Sequence, residues 1–224
     1  MLIEESLWIQ KTILGFPVSE MSPLLNIGSS TAEFRQNIQP YIHENIFAPI
    51  EKVGGQVSHL DIKADEGVDI VGDLTEAGFQ QKLIQDYHFS CFLCSNLLEH
   101  IEDKNRAQLC QIIEKIMPQG SYLIVTVPHM YPYHKDPIDT MFRPDIQALA
   151  ALFPSLSFVA GDIVQTPNNM FSYFQGKPRA FFAYIAHITL PFLFKRSFFD
   201  WQQQVKYLPF WFKRFDSTCI ILKK

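Results

Sequence analysis

The sequence has 224 residues, 47% hydrophobic and 14% aromatic, so it can bury one substantial core and predicts a single domain over 1–224. A formal net charge of -4 argues against a large surface for phosphates, and we expect no nucleic-acid partner. The N-terminal MLIEESLWIQK places two acids before a short apolar run, the reverse of a secretory signal, which predicts a cytoplasmic protein.

Six segments of strand composition alternate with helical periodicities, which predicts an α/β fold with a mainly parallel sheet covered on both faces. The predicted strands are Leu24–Ile27, Gln56–Ile62, Phe89–Cys94, Tyr122–Val127, Leu156–Val164 and Thr218–Leu222. The predicted helical faces are Phe79, Leu83, Ile84 and Tyr87, then Leu109, Ile112, Ile113 and Ile116, then Ile146, Leu149, Ala150 and Phe153. Pro144 suits the first turn of the last of these helices.

The four cysteines are predicted to be core thiols. Cys91 and Cys94 in CFLC have the spacing of a metal knuckle, but residues three apart in a strand point to opposite faces. Cys110 falls on a helical pattern and Cys219 in the last predicted strand, so no disulfide framework is expected.

The first predicted strand runs into the loop of LLNIGSST, where a single glycine, Gly28, is followed by three hydroxyl residues. Loops that cradle a pyrophosphate carry several glycines, because backbone N–H groups must converge on the phosphate oxygens. This loop therefore predicts a ligand that needs close backbone approach but little neutralisation of phosphate.

Polar residues cluster where predicted strands end, the edge at which open α/β sheets bind ligands. They are Asn26, Gly28, Ser29 and Ser30, then Asp61 in HLDIK, then Asp73 in VDIVGDL, then Ser95, Asn96, Glu99 and His100 in CSNLLEHIED. Each alone is also typical of turns and helix caps, so Asp61 and Asp73 have a purely structural alternative.

The order of these motifs resembles the class I S-adenosylmethionine-dependent methyltransferases of the type 11 kind, from about Leu24 to Phe153. The block FLCSNLLEHIEDKNRAQLCQIIEKIMPQGSYLIVTVP is similar to the family's fourth strand, LEH turn, helix and fifth strand. The glycine-rich first motif is matched only at Gly28, and Ser30 replaces a later glycine. The resemblance implies a Rossmann-like, doubly wound, seven-stranded sheet with an antiparallel last strand.

S-adenosylmethionine is the cofactor that this resemblance implies, and because it has no phosphate, one glycine suffices. Asp61 would accept hydrogen bonds from the ribose hydroxyls, and Asp73 from the adenine amino group with Leu74 against the ring. The implied cofactor-binding residues are Asn26, Gly28, Ser29, Ser30, Asp61, Ile62, Asp73, Leu74, Ser95 and Asn96.

The segment PHMYPYHKDPIDTMFRP follows the fifth strand, where the family places groups that face the methyl acceptor. The resemblance implies His134, His129 and Asp136 as catalytic residues, with His134 removing a proton from a small-molecule, sugar or lipid-like acceptor. An Asp139–Arg143 ion pair is the structural alternative for those two residues.

A metal ion is a second alternative for this segment, held by His129, His134 and Asp136 or by Glu99 with His100. The LEH turn resembles that of ubiquinone-pathway methyltransferases with acid-plus-histidine sites, but Asn96 stands where those enzymes carry a further glutamate. We therefore predict no bound metal.

Residues 168–214, which contain RAFFAYIAHITLPFLFKR and YLPFWFKRF, are predicted to be a helical, aromatic insertion. Its apolar run is shorter than the roughly 20 residues of a membrane span. The insertion suits a lid over the acceptor, or contact with a membrane surface or a second subunit.

Two other functions stay open for the protein. One is a methyltransferase-like binding or regulatory module without turnover. The other is a nicotinamide oxidoreductase, although this sequence lacks the three-glycine loop of that class.

Overall fold

Seven strands form one sheet in the computed structural model, which describes residues 1–134, 138–190, 201 and 212–224. The strands are β1 Leu24–Ile27, β2 Val57–Asp61, β3 Ile70–Val71, β4 Cys91–Ser95, β5 Tyr122–Met130, β6 Ser157–Gln165 and β7 Asp216–Lys223. Their order is β3-β2-β1-β4-β5-β7-β6, in which β1 to β5 are parallel and β7 runs antiparallel to both neighbours. The predicted doubly wound sheet with an antiparallel last strand is confirmed.

Helices cover both faces of this sheet. They are α1 Ile3–Leu14, α2 Val18–Met21, α3 Ala48–Lys52, α4 Ala77–Asp86, α5 Asp103–Ile116, α6 Ile146–Ala150, α7 Met170–Tyr173 and α8 Pro178–Thr189, with π-helical turns at Phe34–Ile38 and His43–Phe47 and a 3-10 turn at Leu98–His100. Alternate strand residues enter two separate cores. Leu24 packs in one core with Ile9 and Ile13 of α1, whereas Leu25 packs in the other with Ile113 of α5.

Two details of the predicted helices are wrong. Ile84 and Tyr87 do not share the buried face of α4, because their exposed fractions are 48% and 41%, and Tyr87 follows the helix and stacks on Phe89. Pro144 does not lie in the first turn of α6, since the helix begins at Ile146 and the Asp145 carboxylate caps it by accepting the Ala148 N–H at 2.8 Å. Asp145 is thus the N-cap residue, and Pro144 lies one residue outside the helix.

Several elements are absent from the sequence prediction, among them the strand β3 and the helices α1, α2 and α3. Strand β3 has only two residues, too few for an alternating pattern. Helix α1 was not predicted, although Glu5, Ile9 and Ile13 recur every four residues and all three are buried. A glutamate on an otherwise apolar helical face is the signal that could have identified both the helix and a buried polar contact.

The cysteines are core thiols, as predicted. All four are buried and free, and Cys91 and Cys94 lie in different cores. Burial raises the pKa of Cys91 to about 12, so its thiol stays protonated and unreactive at neutral pH.

Gly28 is required both by its backbone conformation and by a close neighbour. Its φ of +68° is left-handed, and a Cβ there would lie 2.9 Å from Leu97 Cδ1. We expect Gly28→Ala to lower the free energy of unfolding by about 1–2 kcal/mol or more, measured by urea denaturation. Gly78→Ala is the control, because a Cβ at that position would meet no atom within 4 Å and helix α4 favours alanine there. Equal stability changes in the two variants would contradict this explanation.

Helices α7 and α8 are the described part of the predicted insertion. Phe171 and Phe182 expose 50% and 68% of their surface. No described helix is both long and apolar enough to cross a membrane. Residues 191–200 and 202–211, which carry much of the predicted aromatic surface, lie outside the described residues.

Candidate active site

A cavity of about 1250 Å³ opens where β1, β2 and β4 end. The carboxyl ends of these parallel strands meet at one edge of the sheet, so the loops that follow them surround the same space. All ten predicted cofactor-binding residues line the cavity: Asn26, Gly28, Ser29, Ser30, Asp61, Ile62, Asp73, Leu74, Ser95 and Asn96.

The loop after β1 is held by Arg35, whose guanidinium is buried. Arg35 Nη1 donates to the backbone oxygens of Ser29 and Ser30 at 2.8 and 2.7 Å, and Nη2 donates to the oxygen of Gly67 at 2.7 Å. Ser30 adopts a left-handed φ of 56°, and its N–H donates to Asp61 Oδ2 at 2.9 Å. Arg35 was not predicted from the sequence, because no local pattern marks a side chain that bonds to backbone carbonyls.

The two predicted acids, Asp61 and Asp73, differ in the hydrogen bonds that they already accept within the protein. Asp61 accepts one hydrogen bond on each oxygen, from Ser30 N–H and from Lys63 N–H at 3.2 Å, which leaves lone pairs for a ligand. Asp73 Oδ1 accepts the N–H and the hydroxyl of Thr75 at 2.8 and 2.7 Å. Asp73 therefore has the structural role of a turn acid, and it has only Oδ2 free of a hydrogen bond to the described residues.

Glu5 of α1 is fully buried beside the cavity, and it was not predicted from the sequence. Its Oε1 accepts from Asn96 Nδ2 and from Thr126 Oγ1, both at 2.6 Å. Its Oε2 accepts from Ser217 Oγ at 2.9 Å and from the N–H of Leu2 at 3.2 Å. This carboxylate joins the N-terminal helix to β5, to β7 and to the residue after β4.

Asn26 of β1 contacts a side chain of the neighbouring strand β2. Its Nδ2 lies 3.1 Å from His59 Nδ1. Phe47 packs edge-on against the His59 ring, with centroids 4.8 Å apart. Burial lowers the pKa of His59 to about 4, with Arg35 and His43 lowering it further and Asp69 raising it.

The half-buried His59 makes the free energy of unfolding depend on pH. The pKa of His59 is about 4 in the folded protein and near 6.5 when unfolded, so the unfolded state binds the extra proton between those values. The contribution of His59 to the free energy of unfolding is fully present above about pH 6.5. We expect the free energy of unfolding to fall by roughly 2–3 kcal/mol as the pH drops to 4. Urea unfolding at several pH values should show a shallower fall for His59→Gln. His88→Gln, an exposed control, should keep the wild-type profile.

The predicted catalytic residues are not all at the cavity. His134 lines it together with Tyr131 and Ile138. His129 does not, because it is directed to Asp216 of β7, with Nδ1 3.0 Å from Oδ1. Asp136 lies outside the described residues.

The Asp139–Arg143 alternative is observed as a bidentate ion pair. Arg143 Nη2 and Nη1 lie 2.6 and 3.1 Å from the two oxygens of Asp139. Burial raises the pKa of Asp139, but the bonds from Arg143 and from the N–H groups of His134 and Met141 outweigh it and hold the pKa below its usual value. The pair braces the segment that carries His134.

Glu99 and His100 follow β4 in the 3-10 turn and lie next to His134. Glu99 is 0% exposed, and neither of its oxygens makes a hydrogen bond to the described residues. Burial raises the pKa of Glu99 to about 8, and burial lowers the pKa of His134 despite the nearby Asp139. His100 and His134 meet edge to face, with ring centroids 5.3 Å apart.

The predicted acceptor lid makes no described contact with the cavity. Of residues 168–190, 201 and 212–214, none lines it, whereas Ser217 of β7 does. The other residues of the predicted lid, 191–200 and 202–211, lie outside the described part of the chain.

This strand order, with its antiparallel seventh strand, is the class I S-adenosylmethionine-dependent methyltransferase fold. A cyclopropane-fatty-acyl-phospholipid synthase-like protein from Lactobacillus casei ATCC 334 matches with TM-score 0.54 and 12% identity over 99% of this chain and 92% of that one. The 1,6-didemethyltoxoflavin-N1-methyltransferase of Burkholderia thailandensis, solved with its acceptor and S-adenosylhomocysteine, matches with TM-score 0.51 and 14% identity over 99% and 77%. The cyclase SpnF matches with TM-score 0.50 and 13% identity over 92% and 79%.

The three solved structures resemble this chain in fold. No protein-family model matches the sequence, and no curated protein matches it. Because all three structures share under 15% identity with this chain, they leave cofactor and substrate to be argued from the cavity.

Proposed function

We propose that the protein is an S-adenosylmethionine-dependent methyltransferase that acts on a small-molecule, sugar or lipid-like acceptor. The observation that carries this proposal is Asp61, an acid at the carboxyl end of β2 whose oxygens keep lone pairs toward a cavity in the class I fold. A carboxylate there suits the two ribose hydroxyls, since charge-assisted hydrogen bonds are the strong ones.

The charges of the cavity support a cofactor without phosphate. Five acidic residues line it, Glu5, Asp61, Asp65, Asp73 and Glu102, against one arginine and one lysine, Arg35 and Lys63, beside two histidines and the N-terminal Met1. Arg35 already donates to three backbone oxygens. An acidic cavity favours the sulfonium and amino groups of S-adenosylmethionine and disfavours the phosphates of a dinucleotide.

At the acceptor end, His134 is the group proposed to remove a proton. Its burial favours the neutral imidazole, which is the form a general base needs. Methyl transfer is a displacement at a carbon that the sulfonium already activates, so holding the acceptor in line is the larger part of the task.

Calorimetric titration tests the cofactor directly. We expect S-adenosylmethionine and S-adenosylhomocysteine to bind with one site per chain, and NAD to give no heat of binding under the same conditions. Binding of NAD alone, or of none of the three, would overturn the proposal.

A protein with this fold that transfers no methyl group is the second candidate. The single-glycine loop and the likeness to a cyclase favour it. Mixing the protein and S-adenosylmethionine with a panel of hydroxyl and amine acceptors discriminates the two. Formation of S-adenosylhomocysteine supports the transferase, whereas binding with no product for any acceptor supports the second candidate.

A further inference from the structure

The insertion of residues 168–214 differs in charge from the rest of the chain. It holds seven of the 19 lysines and arginines but one of the 23 acids, Asp200, which leaves 12 basic and 22 acidic residues elsewhere. It also contains 15 of the 20 phenylalanines, eight tyrosines and three tryptophans taken together. An acidic protein thus carries one basic and aromatic segment, a composition typical of surfaces that bind anionic partners and bury apolar side chains.

Large apolar side chains of the described part of this insertion are exposed. Phe182 and Ile185 of α8 lie three positions apart, on the same side of the helix, and both are exposed. Another side of α8 packs on α7, where the rings of Phe174 and Phe181 have centroids 6.1 Å apart. Phe212, near the end of the insertion, is 86% exposed. Apolar side chains gathered at a surface in this way indicate a binding face.

The two ends of the insertion leave the sheet side by side. The N–H of Phe215 donates to the backbone oxygen of Asn168 at 3.0 Å, and the oxygen of Phe215 accepts the N–H of Thr166 at 2.9 Å. Residues 212–214 therefore start beside α7, which begins two residues after Asn168. The exposed side chains of α7, α8 and 212–214 belong to one region of the molecule.

Exposed basic residues accompany the apolar ones. Arg179 lies in the first turn of α8, and Lys213 and Arg214 follow Phe212. None of the described residues 168–190, 201 and 212–214 is an acid. The other residues of the insertion, 191–200 and 202–211, add three bases and one acid to the sequence. The insertion therefore does not contain the acids that would neutralise its own charge.

We propose that the region formed by α7, α8 and residues 212–214 binds the anionic surface of a phospholipid membrane. The exposed aromatic and aliphatic side chains would enter the boundary between headgroups and acyl chains, and the basic side chains would contact lipid phosphates. Helix α8 has 12 residues, about 18 Å, so it would lie along the surface and not cross it.

Charge is the reason to favour lipid over a second copy of this chain. Two copies of the same basic region would repel each other, whereas an anionic bilayer attracts each lysine and arginine. The proposal adds to the proposed function and does not rest on it, since none of the described residues of this region lines the cavity.

Co-sedimentation of the full chain with vesicles, in the absence of S-adenosylmethionine, tests the proposal. Vesicles of phosphatidylglycerol mixed with phosphatidylcholine provide the anionic surface, and vesicles of phosphatidylcholine alone are the neutral comparison. We expect binding at least about tenfold tighter to the anionic vesicles. Raising the salt concentration from about 0.1 to 1 M, which shortens the screening length to about 3 Å, should release the protein.

Arg179→Glu tests the contribution of charge. Each basic group near an anionic surface contributes about fivefold, so reversing this charge should weaken vesicle binding by roughly 25-fold. The new acid lies in the first turn of α8, where the helix dipole favours it, so lost binding would not come from an unfolded helix. The control is Lys82→Glu on α4, which is also exposed and changes the net charge equally, and it should bind like the wild type.

Phe182→Ala tests the apolar contact. We expect it to weaken binding about tenfold or more, because a phenylalanine that becomes buried gains that much from leaving water. The control is Ile84→Ala, which shortens an exposed apolar side chain on α4, and it should leave binding unchanged.

Binding to neither kind of vesicle, equal binding to both, or equal affinity of Arg179→Glu and Lys82→Glu would overturn the membrane surface. Circular dichroism checks that each variant folds. A mass that doubles with protein concentration, in a chain that binds no vesicle, would assign the region to a second copy instead. A chain that binds anionic vesicles but not S-adenosylmethionine would keep this inference while the proposed function fails.

Discussion

Replacing Glu5 by Ala is expected to lower the free energy of unfolding by about 3 kcal/mol or more, because two buried donors and one half-buried donor lose their acceptor at once. Asn96, Thr126 and Ser217 each donate a side-chain hydrogen bond to this carboxylate, and none of these three groups donates to another acceptor among the described residues. Each donor left unsatisfied in the core costs roughly 1–3 kcal/mol, less whatever water recovers. Urea denaturation followed by circular dichroism measures the change.

Glu4→Ala is the matched control, since it removes the neighbouring acid of the same helix. Glu4 makes no hydrogen bond to the described residues, and we expect its loss to change stability by less than about 0.5 kcal/mol. If Glu5→Ala were as stable as Glu4→Ala, the buried carboxylate would not be what holds α1 against the sheet.

Replacing Asp61 by Ala is expected to weaken S-adenosylmethionine binding by about 10- to 150-fold, which corresponds to about 1.5–3 kcal/mol. Two effects add in the same direction. The ribose hydroxyls lose a charged acceptor, and the N–H of Ser30 loses the carboxylate that holds the loop after β1 in its left-handed turn.

Asp61→Asn separates these two effects. It keeps an acceptor for Ser30 but removes the charge, so its affinity should lie between those of the wild type and the alanine variant. Asp86→Ala, at the exposed end of α4, should bind the cofactor normally. A dissociation constant unchanged in Asp61→Ala would remove Asp61 from the cofactor site.

The strands and their shared edge were predictable because they depend on local patterns. Buried parallel strands are continuous apolar runs, and polar residues that follow such runs meet at one edge whatever the loops between them do. Gly28 and Asp61 were found in this way. Boundaries shifted by one to three residues in either direction: β5 extends past its apolar run to Met130, whereas β4 begins at Cys91 and not at Phe89.

The residues that the sequence analysis missed make contacts with residues far away in the sequence. Glu5 and Ser217 are 212 residues apart, and the carbonyls that Arg35 binds come from two loops that only the fold brings together. Glu99 was noted as a polar residue after β4, but nothing local to it indicates complete burial without a partner. Contacts of this kind follow from topology, which single-sequence periodicity does not contain.

The position of β7 has a consequence for how the chain is made. Of the seven described strands it is synthesised last, beginning 51 positions after β6 ends, yet it is the strand that lies between β5 and β6. Until it arrives, β6 has no neighbour in the sheet and the outer edge of β5 stays open to other chains. Ser217, one of the donors to Glu5, also lies in β7, so the N-terminal helix lacks this hydrogen bond until β7 is made. A nascent chain thus passes through a stage with two unpaired strand edges, at which premature release would favour association with another chain.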